Sequence, residues 1–406
     1  MPETTTPETT TPTATHRQVL EAITGIPATE GNRVDVLRNG VEIFPAMLEA
    51  IRSAERSIDL MTFIYWTGDI SDAFADALAE RARAGVRVRV LVDGFGARTM
   101  AAGARSRMRD AGVVLETFRP FSSLKVWRWN VRTHRRVLVV DSTVAFTGGV
   151  GIAAEWEGDA DDPTCWRDTH YRVEGPAVDG IHAAFRSDWI ETPHALVDES
   201  DEFGVREPAG TSAVQVIRAS SQPGWNDSAL ALHALLTVAV DRIRVTSAYF
   251  RPPAFFLDLL CHAPGRGVDV EVLVPGPHTE PVHYRWAAEH HYARLLDHGV
   301  RIHAYEPTML HAKVVTVDRR VAFVGTTNVD ARSLALNEQI GLLVHDPDVV
   351  ATLDAHFVDD RAHSRTLDAA TWRDRPLTHR LRSAATHLAT FGLRGSGAAE
   401  QGRFLD

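Results

Sequence analysis

Two stretches of the chain repeat the same order of apolar and polar positions. In the first, "MLEAIRSAERSIDLMTFIYW" has the spacing of an amphipathic helix followed by an apolar strand, and "ALAERARAGVRVRVLVDGFG" gives a helix, a glycine stop and an alternating strand. In the second, "LHALLTVAVDRIRVTSAYF" and "GVDVEVLVPGPH" occupy the same places. Equivalent positions lie 185 residues apart at Ile58 and Ile243, and 182 apart at Val88 and Val270. This steady offset predicts two similar halves within one chain.

The alternation of strands and helices predicts an α/β fold, with mixed sheets flanked by helices in each half. Two like halves also predict a pseudo-twofold axis, with one active site between the halves. The N-terminal stretch "MPETTTPETTTPTATH" is too polar to bury a core, and the stretch between the halves is polar and rich in turn residues. The predicted segments are a disordered Thr/Pro-rich tail at 1–32, a first half at 33–196, a linker at 197–212, a second half at 213–362 and a basic amphipathic segment at 363–406.

Composition and charge narrow the classes of protein that fit. A length of 406 residues allows two domains, and a formal charge of -10 argues against a non-specific nucleic-acid binder, so no nucleic-acid partner is expected. The only cysteines, Cys165 and Cys261, are too few for a disulfide framework. No apolar run approaches the roughly 18 residues of a membrane span, and the N-terminus lacks the apolar stretch of a signal peptide. We therefore expect a cytoplasmic protein.

Each half ends in nearly the same motif, "THRRVLVVDSTVAFTGGVG" in the first and "LHAKVVTVDRRVAFVGTTN" in the second. Both motifs are typical of a β-hairpin, with turns at "ST" and "RR". Because residues two apart on a strand share a face, His134 should lie beside Arg136, and His311 beside Lys313. A motif aspartate falls near each turn, where a carboxylate usually accepts backbone N–H bonds, so both are expected to be structural. These two residues are Asp141 and Asp318.

Two pairs of a histidine and a cation that face each other make a site for a phosphodiester. The cations would hold the non-bridging oxygens, one imidazole would attack phosphorus, and the other would protonate the leaving alkoxide. One half has only one such histidine, which explains why the motif occurs twice. A single His-x-Lys pair is common on strands, but this chain contains only two lysines, Lys125 and Lys313, against 41 arginines. The placement of Lys313 two residues after a motif histidine favours a catalytic interpretation.

The doubled motif resembles that of the phospholipase D superfamily, and its flanks resemble bacterial cardiolipin synthases. The flanking segments are "NVRTHRRVLVVDSTVAFTGGVGIAAEW", "CWRDTHYRVEGPAV", "SAYFRPP" and "TMLHAKVVTVDRRVAFVGTTNVDARSLALNEQIGLLVHD", and the resemblance covers about residues 33 to 362. It implies a two-step transfer of a phosphatidyl group through a phosphohistidine, without a metal or another cofactor. The implied donor is phosphatidylglycerol and the implied acceptor is an alcohol, the glycerol hydroxyl of a second phosphatidylglycerol.

Carried over by position, the resemblance makes His134 the nucleophile and His311 the general acid. Asp168 and Glu338 follow these histidines by 34 and 27 residues and would hold the imidazole of their own half in its tautomer. The implied phosphate-binding residues are Arg136, Lys313 and Asn328. Two positions depart from the family pattern: Arg136 stands where the family has lysine, and Gly151 where it has asparagine. The loss of the asparagine donor would weaken transition-state binding by about 2 kcal/mol if nothing replaced it.

Two alternative functions stay open at this point. The protein could be a phospholipase D-type phosphodiesterase that uses water, or a catalytically weakened homologue that binds lipid. The C-terminal segment places Leu377, Leu381, Leu388 and Phe391 at helical spacing among arginines, among them Arg394. Such a helix could lie on anionic lipid or pack on the domain. The expected partner is a phospholipid at an anionic membrane surface, with the protein peripheral to the inner face of the cell membrane. The sequence gives no indication of an oligomeric state.

Overall fold

The computed structural model describes residues 15–120, 131–197, 205–220 and 226–392. These residues form one mixed β-sheet that is flanked by helices. The helices are α1 (His16–Thr24), α2 (Asn39–Ser53), α3 (Asp69–Arg83), α4 (Ala102–Asp110), α5 (Ala177–Trp189), α6 (Asp227–Thr237), α7 (Ala254–His262), α8 (Val282–Asp297), α9 (Ser333–Leu336), α10 (Pro347–Ala362), α11 (Ala369–Arg373) and α12 (Leu377–Gly392). The strands are β1 (Thr29–Arg38), β2 (Ser57–Thr62), β3 (Arg87–Asp93), β4 (Val114–Phe118), β5 (Val137–Val140), β6 (Val144–Gly148), β7 (Thr169–Glu174), β8 (Ser212–Ala219), β9 (Arg242–Ser247), β10 (Asp269–Pro275), β11 (Arg301–Tyr305), β12 (Lys313–Val317), β13 (Val321–Gly325), β14 (Gln339–His345) and β15 (Ser364–Thr366).

The strand order confirms the α/β fold with two similar halves. From the centre outwards the first half runs β1-β7-β6-β5-β2-β3-β4, and the second runs β8-β14-β13-β12-β9-β10-β11 with β15 added at its edge. In the first half β2, β3 and β4 are parallel to one another, and in the second half β9, β10 and β11 are. The strands nearer the centre of the sheet pair antiparallel. Strands β1 and β8 pair with each other, so the two mixed sheets join into one sheet of fifteen strands. The motif hairpins, β5–β6 and β12–β13, therefore take equivalent places on either side of the centre.

Both motif hairpins form, but each turn is centred one residue earlier than predicted. The central residues are Asp141–Ser142 and Asp318–Arg319, and all four have φ between 50° and 57°. In each turn the amide after the pair donates to the carbonyl before it, at 3.0 Å. Two positive φ values and this bond define a type I′ turn, whose twist matches that of the strands it joins. The aspartates lie within the turns because a short polar side chain tolerates the left-handed region better than a larger one.

The carboxylates of the two turn aspartates accept backbone hydrogen bonds, as a structural aspartate would. Asp141 accepts from the amides of residues 55–57 at 2.9, 2.8 and 2.8 Å. Asp318 accepts from the amides of residues 240–242 at 2.9, 2.8 and 2.8 Å, and also contacts Nε2 of His16 at 2.7 Å. Each carboxylate thus ties the turn of a motif hairpin to the start of the neighbouring strand, β2 or β9.

The prediction of a disordered tail over residues 1–32 is wrong for the part that the structure describes. Residues 16–24 form α1, capped by Thr15 in a reciprocal capping box with Gln18, and β1 begins at Thr29. Leu20 is fully buried in the core of the second half. This short amphipathic helix was not predicted because the N-terminal stretch is polar overall. One leucine on the face directed at the core is enough to attach the helix to it. Residues 1–14 lie outside the described residues.

The predicted linker and C-terminal segment are described only in part. In the linker, residues 205–211 have no helix or strand, and residues 198–204 are outside the described part. The C-terminal segment adds the edge strand β15 and the helices α11 and α12, and residues 393–406, with Arg394, are likewise outside. Within the described ranges, no helix is both long enough and apolar enough to cross a membrane.

Candidate active site

The two motifs are held together by short strand contacts that cross between the halves. The amide of His134 donates to the carbonyl of Glu338 at 2.9 Å, and the amide of His311 donates to the carbonyl of Arg167 at 2.7 Å. These contacts form the isolated bridges Thr133–Glu338 and Arg167–Leu310. Each motif histidine therefore enters the site beside the segment of the opposite half. The two hairpins share one buried centre, as the doubled sequence predicted.

Each motif cation lies beside its histidine, as expected for residues two apart on a strand. Nζ of Lys313 is 3.0 Å from Nδ1 of His311, and Nη1 of Arg136 is 2.9 Å from Nδ1 of His134. Both cations also donate to the backbone carbonyl of their histidine. All four side chains are more than nine-tenths buried. The site therefore concentrates two positive charges where little water can screen them.

Asp168 pairs with the histidine of the opposite half, and the prediction that it serves His134 is wrong. Its Oδ2 is 2.6 Å from Nδ1 of His311 and accepts a hydrogen bond from the indole N–H of Trp156 at 2.9 Å. The backbone amide of Thr169 donates to the other carboxylate oxygen at 2.8 Å. This exchange follows from the bridge between Arg167 and Leu310, which brings the start of β7 against the second motif. A fully buried carboxylate with three donors is rigidly placed.

Glu338 does not contact the ring of either histidine, which corrects the second predicted pairing. Its carboxylate lies 3.5 Å from Arg135 and 3.8 Å from Arg119. The side chain that faces Nδ1 of His134 is Gln339, whose Oε1 lies 3.2 Å away. The sheet register gives the reason, because His170 pairs with the last residue of β6 as Gly341 pairs with the last residue of β13. Counting back by two on each strand makes Gln339, not Glu338, the equivalent of Asp168.

The partners of Nδ1 assign the same tautomer to both imidazoles. In His311, Nδ1 faces the Asp168 carboxylate, and in His134 it faces two oxygens, Oε1 of Gln339 and the carbonyl of Thr326, each at 3.2 Å. An oxygen acceptor requires a proton on the nitrogen, so each Nδ1 is a donor and each Nε2 keeps its lone pair. The nearby Arg136 and Lys313 then direct their protons to the histidine carbonyls. The nucleophilic nitrogen of either ring is consequently Nε2.

Burial and mutual repulsion shift the ionisation of the whole cluster. Burial, followed by the charges of Arg136 and Lys313, holds the pKa of His134 well below its ordinary value. Burial and then Lys313 lower the pKa of His311 to about 4, against the opposing charge of Asp168. Burial lowers the pKa of Lys313 to about 7. Burial alone would raise the pKa of Asp168, but Lys313 and His311 outweigh it and lower that pKa to about 2.

The two departures in the first motif have distinct structural settings. Burial lowers the pKa of Arg136 to about 10, and its Nε has no partner among the residues that the structure describes. At Gly151 an added Cβ would lie 2.6 Å from Cβ of Ile64 and 3.1 Å from the ring of Trp156. Any side chain at this position, including the asparagine of the family pattern, would therefore require Ile64 to shift. Asn328, its counterpart in the second motif, is buried, and its Oδ1 has no partner within the described ranges.

Four aromatic side chains surround the two histidines and are called the aromatic wall below. Neither they nor Gln339 were predicted from the sequence. The ring of His311 lies 5.2 Å from Trp156, 5.3 Å from Trp166 and 5.9 Å from Tyr249, while Phe63 lies 5.0 Å from the ring of His134. These rings exclude water from the imidazoles and account for much of their desolvation. The sequence alone does not equate Gln339 with Asp168, because Asp168 follows Gly148 by 20 residues and Gln339 follows Gly325 by 14, and only the sheet register brings them to equivalent places.

Metal-ligating groups are sparse in the part of the chain that the structure describes. One group of three ligand atoms lies close together, from Asp161, Asp162 and Cys165, and both aspartates are exposed. Between α8 and α12, the ring of His387 stacks on that of His290 at 4.4 Å and meets that of His291 edge-on at 4.8 Å.

Two like halves that meet at one pair of motif histidines define a site of the phospholipase D type, and comparisons with known proteins agree. The family model "Cardiolipin synthase, PLD-like domain" matches residues 47–159 and 232–361. The "Major cardiolipin synthase ClsA" of Bacillus subtilis (strain 168) is 31% identical over 363 residues, which are 89% of this chain and 75% of that protein. "Cardiolipin synthase 1" of Bacillus anthracis is also 31% identical, over 90% of this chain and 73% of that protein. The chain therefore belongs to the cardiolipin synthase family of phospholipase D-like proteins.

A solved structure shows the same fold at low sequence identity. The crystal structure of phosphatidylserine synthase from Haemophilus influenzae Rd KW20 superimposes with a TM-score of 0.69, covering 92% of this chain and 99% of that chain at 15% identity. The two-halved architecture is thus shared along nearly the whole length of both proteins.

Proposed function

We propose that this protein is a phosphatidyltransferase of the cardiolipin synthase type. It would take a phosphatidyl group from phosphatidylglycerol, hold it as a phosphohistidine, and transfer it to the glycerol hydroxyl of a second phosphatidylglycerol. The proposal is supported by relatives that are named cardiolipin synthases and align with about nine-tenths of the chain. The observation that carries it is the buried pair of motif histidines, each with its Nδ1 directed at an oxygen acceptor and a cation beside its ring.

In the first step His134 attacks and His311 supplies a proton. Nε2 of His134 forms a bond to phosphorus while the bond from phosphorus to the glycerol oxygen breaks. The proton on Nε2 of His311 goes to that leaving oxygen. Arg136, Lys313 and Asn328 hold the non-bridging oxygens, whose negative charge offsets the two cations. That added negative charge also raises the pKa of His311 above its value of about 4 in the free protein, which favours the protonated acid.

In the second step His311 acts as a base instead of an acid. The acceptor hydroxyl gives its proton to Nε2 of His311, and its oxygen bonds to phosphorus as the bond to His134 breaks. The products are cardiolipin and the free histidine, with His311 again protonated. No oxidant, reductant or further reactant takes part. The aromatic wall keeps water from the phosphohistidine, which favours transfer over hydrolysis.

The unequal partners of the two histidines support this order of events. A general acid must carry a positive charge before the reaction, and Asp168 stabilises such a charge on His311 at 2.6 Å. A nucleophile must be neutral, and the amide of Gln339 orients His134 without placing a negative charge beside its ring. The repulsion from Arg136 and Lys313 also keeps His134 uncharged. His134 is therefore the better nucleophile and His311 the better acid.

The test is incubation of the pure protein with phosphatidylglycerol, followed by lipid mass spectrometry. Cardiolipin and glycerol in equal amounts are expected. Phosphatidic acid as the main product would identify water as the acceptor, and absence of any product would indicate a lipid-binding homologue. Acid-quench trapping with an activated phosphodiester should then label the wild type and His311→Ala but not His134→Ala. The reverse labelling pattern would show that His311 attacks first.

We also propose that the protein acts at the inner face of the cell membrane as a peripheral protein. The donor and acceptor are lipids of a bilayer, and phosphatidylglycerol gives that bilayer a negative charge. The protein should therefore reach its substrate by binding to an anionic surface from the cytoplasm.

A further inference from the structure

Helix α12 presents an apolar stripe that no other part of the described chain covers. Leu377, Leu381 and Leu388 are 65%, 60% and 69% exposed. At about 100° of rotation per residue, these positions fall within roughly 40° of one another around the helix. Three large apolar side chains on one narrow line of the surface are unusual for a position without a partner.

The opposite face of α12 is fixed to the domain, so the stripe is directed outward. Ser383 is buried, and its hydroxyl donates to the carbonyl of Trp286 at 2.8 Å. His379 contacts the carboxylate of Glu289 at 2.7 Å. Of the two possibilities that the sequence left open for this segment, packing of the leucines on the domain is therefore wrong. The side chain of the fourth residue of the pattern, Phe391, lies outside the described part of the structure.

The charge around the stripe fits an anionic partner. Residues 369–389 contain four arginines and one aspartate, in a chain whose formal charge is -10. On the helix, Arg380 lies on one side of the leucine line and Arg382 on the other. An apolar line bordered by guanidinium groups matches a surface that has anionic groups above an apolar layer. A bilayer containing anionic phospholipid has this arrangement.

Helix α8 connects α12 with the aromatic side chains beside His311. The guanidinium of Arg382 lies 4.5 Å from the ring of Trp286 in the second turn of α8. Two residues earlier, Tyr284 packs on Tyr249 at 4.6 Å, and Tyr249 packs edge-on against His311 at 5.9 Å. Helix α12 and the ring of His311 are thus linked through α8 and Tyr249.

We propose that α12 is the helix by which this protein docks on an anionic bilayer, with its three leucines among the acyl chains and Arg380 and Arg382 at the phosphates. The inference rests on the proposed function for the identity of the lipid, and it adds the surface that binds it. Docking through one short helix makes attachment reversible, because three side chains provide far less apolar area than a membrane span.

The experiment measures binding of the full-length protein to vesicles by co-sedimentation. Vesicles of phosphatidylglycerol and phosphatidylcholine should bind the protein, and vesicles of phosphatidylcholine alone should bind it more weakly. The triple variant Leu377→Gln, Leu381→Gln, Leu388→Gln should lower the affinity for the mixed vesicles by about 100-fold or more, since it removes the apolar area that the three leucines would bury among the acyl chains. The matched control is Ile190→Gln, which removes an equally exposed (65%) apolar side chain after α5 and should bind as the wild type does.

Turnover of a short-chain, monomeric phosphodiester separates this inference from the proposed catalysis. The triple variant should keep wild-type turnover of that substrate, because its substitutions lie on the surface. Unchanged vesicle affinity of the triple variant would overturn the inference, as would equal binding of the wild type to both kinds of vesicle. A wild type that self-associates through α12, with monomers formed only by the triple variant, would replace the bilayer with a second copy and also overturn it. Failure of the wild type to turn over any phosphodiester, with vesicle binding intact, would count against the proposed function alone.

Discussion

Under the proposed roles, replacement of Asp168 by asparagine should impair His311 as the acid and spare His134 as the nucleophile. The carboxylate lies 2.6 Å from Nδ1 of His311, so its charge is roughly 4 Å from the centre of the imidazolium charge. At an effective dielectric constant of about 20, the lost attraction is about 4 kcal/mol. This corresponds to about three units in the pKa of His311 and a fall of about 1,000-fold in the fraction of protonated acid.

The loss should depend on the leaving group. Release of glycerol from a short-chain phosphatidylglycerol needs a proton from His311 and should slow by about 1,000-fold in Asp168→Asn. Release of p-nitrophenolate from an activated phosphodiester needs no proton, and its first turnover should slow by less than 10-fold. The assay is rapid quench of a single turnover, because the second step needs His311 as a base with either substrate.

A matched control removes a different partner of the same carboxylate. Trp156→Phe keeps the aromatic ring beside His311 but removes the indole N–H that donates to Oδ2 of Asp168 at 2.9 Å. It leaves the negative charge in place and should slow glycerol release by about 10-fold or less. If Asp168→Asn slowed both substrates equally, the carboxylate would serve the attacking nitrogen, and the assignment of His311 as acid would be refuted.

Three further changes test other parts of the structure. Burial lowers the pKa of Lys313 to about 7. The free enzyme therefore loses this cation as the pH rises through about 7, and kcat/KM for an anionic substrate should fall. The variant Lys313→Arg should remove this fall from the pH profile. Gly151→Asn should not restore a useful amide but should lower the free energy of unfolding by about 1–3 kcal/mol in urea titrations, because the new Cβ would lie 2.6 Å from that of Ile64. Leu20→Ala should destabilise the protein by about 2–4 kcal/mol, whereas an unchanged urea midpoint would mean that α1 does not dock.

The sequence predicted the parts of the fold that follow from local patterns. Repeat spacing identified the two halves, and strand parity placed Lys313 beside His311 and Arg136 beside His134. It could not show that β1 and β8 join the halves into one sheet, since strand pairing across 180 residues has no local signature. It also missed α1, because a helix with a single buried leucine is not distinct from a polar tail in composition.

Partners across the halves were the hardest part of the site to predict. Sequence distance suggested that Asp168 and Glu338 serve the histidines that precede them, yet the carboxylate of Asp168 reaches His311 and that of Glu338 reaches arginines. The true partner of His134 depends on the register of β14, where a shift of one residue exchanges Glu338 for Gln339. A one-residue offset in a strand is decided by tertiary pairing, which the sequence of one half does not contain.

The amide of Gln339 has a consequence for the intermediate as well as for the first step. When phosphorus is bonded to Nε2 and a proton remains on Nδ1, the ring of His134 carries a positive charge. A carboxylate at the position of Gln339 would stabilise that charge and make the phosphohistidine more persistent. The neutral amide orients the ring at 3.2 Å but leaves the intermediate higher in energy. The first step is then slower than it would be with a carboxylate, and His134 becomes a better leaving group in the second step. In the proposed mechanism, in which a dry site passes its phosphatidyl group to a second bulky lipid, this asymmetry favours transfer once the acceptor hydroxyl has arrived.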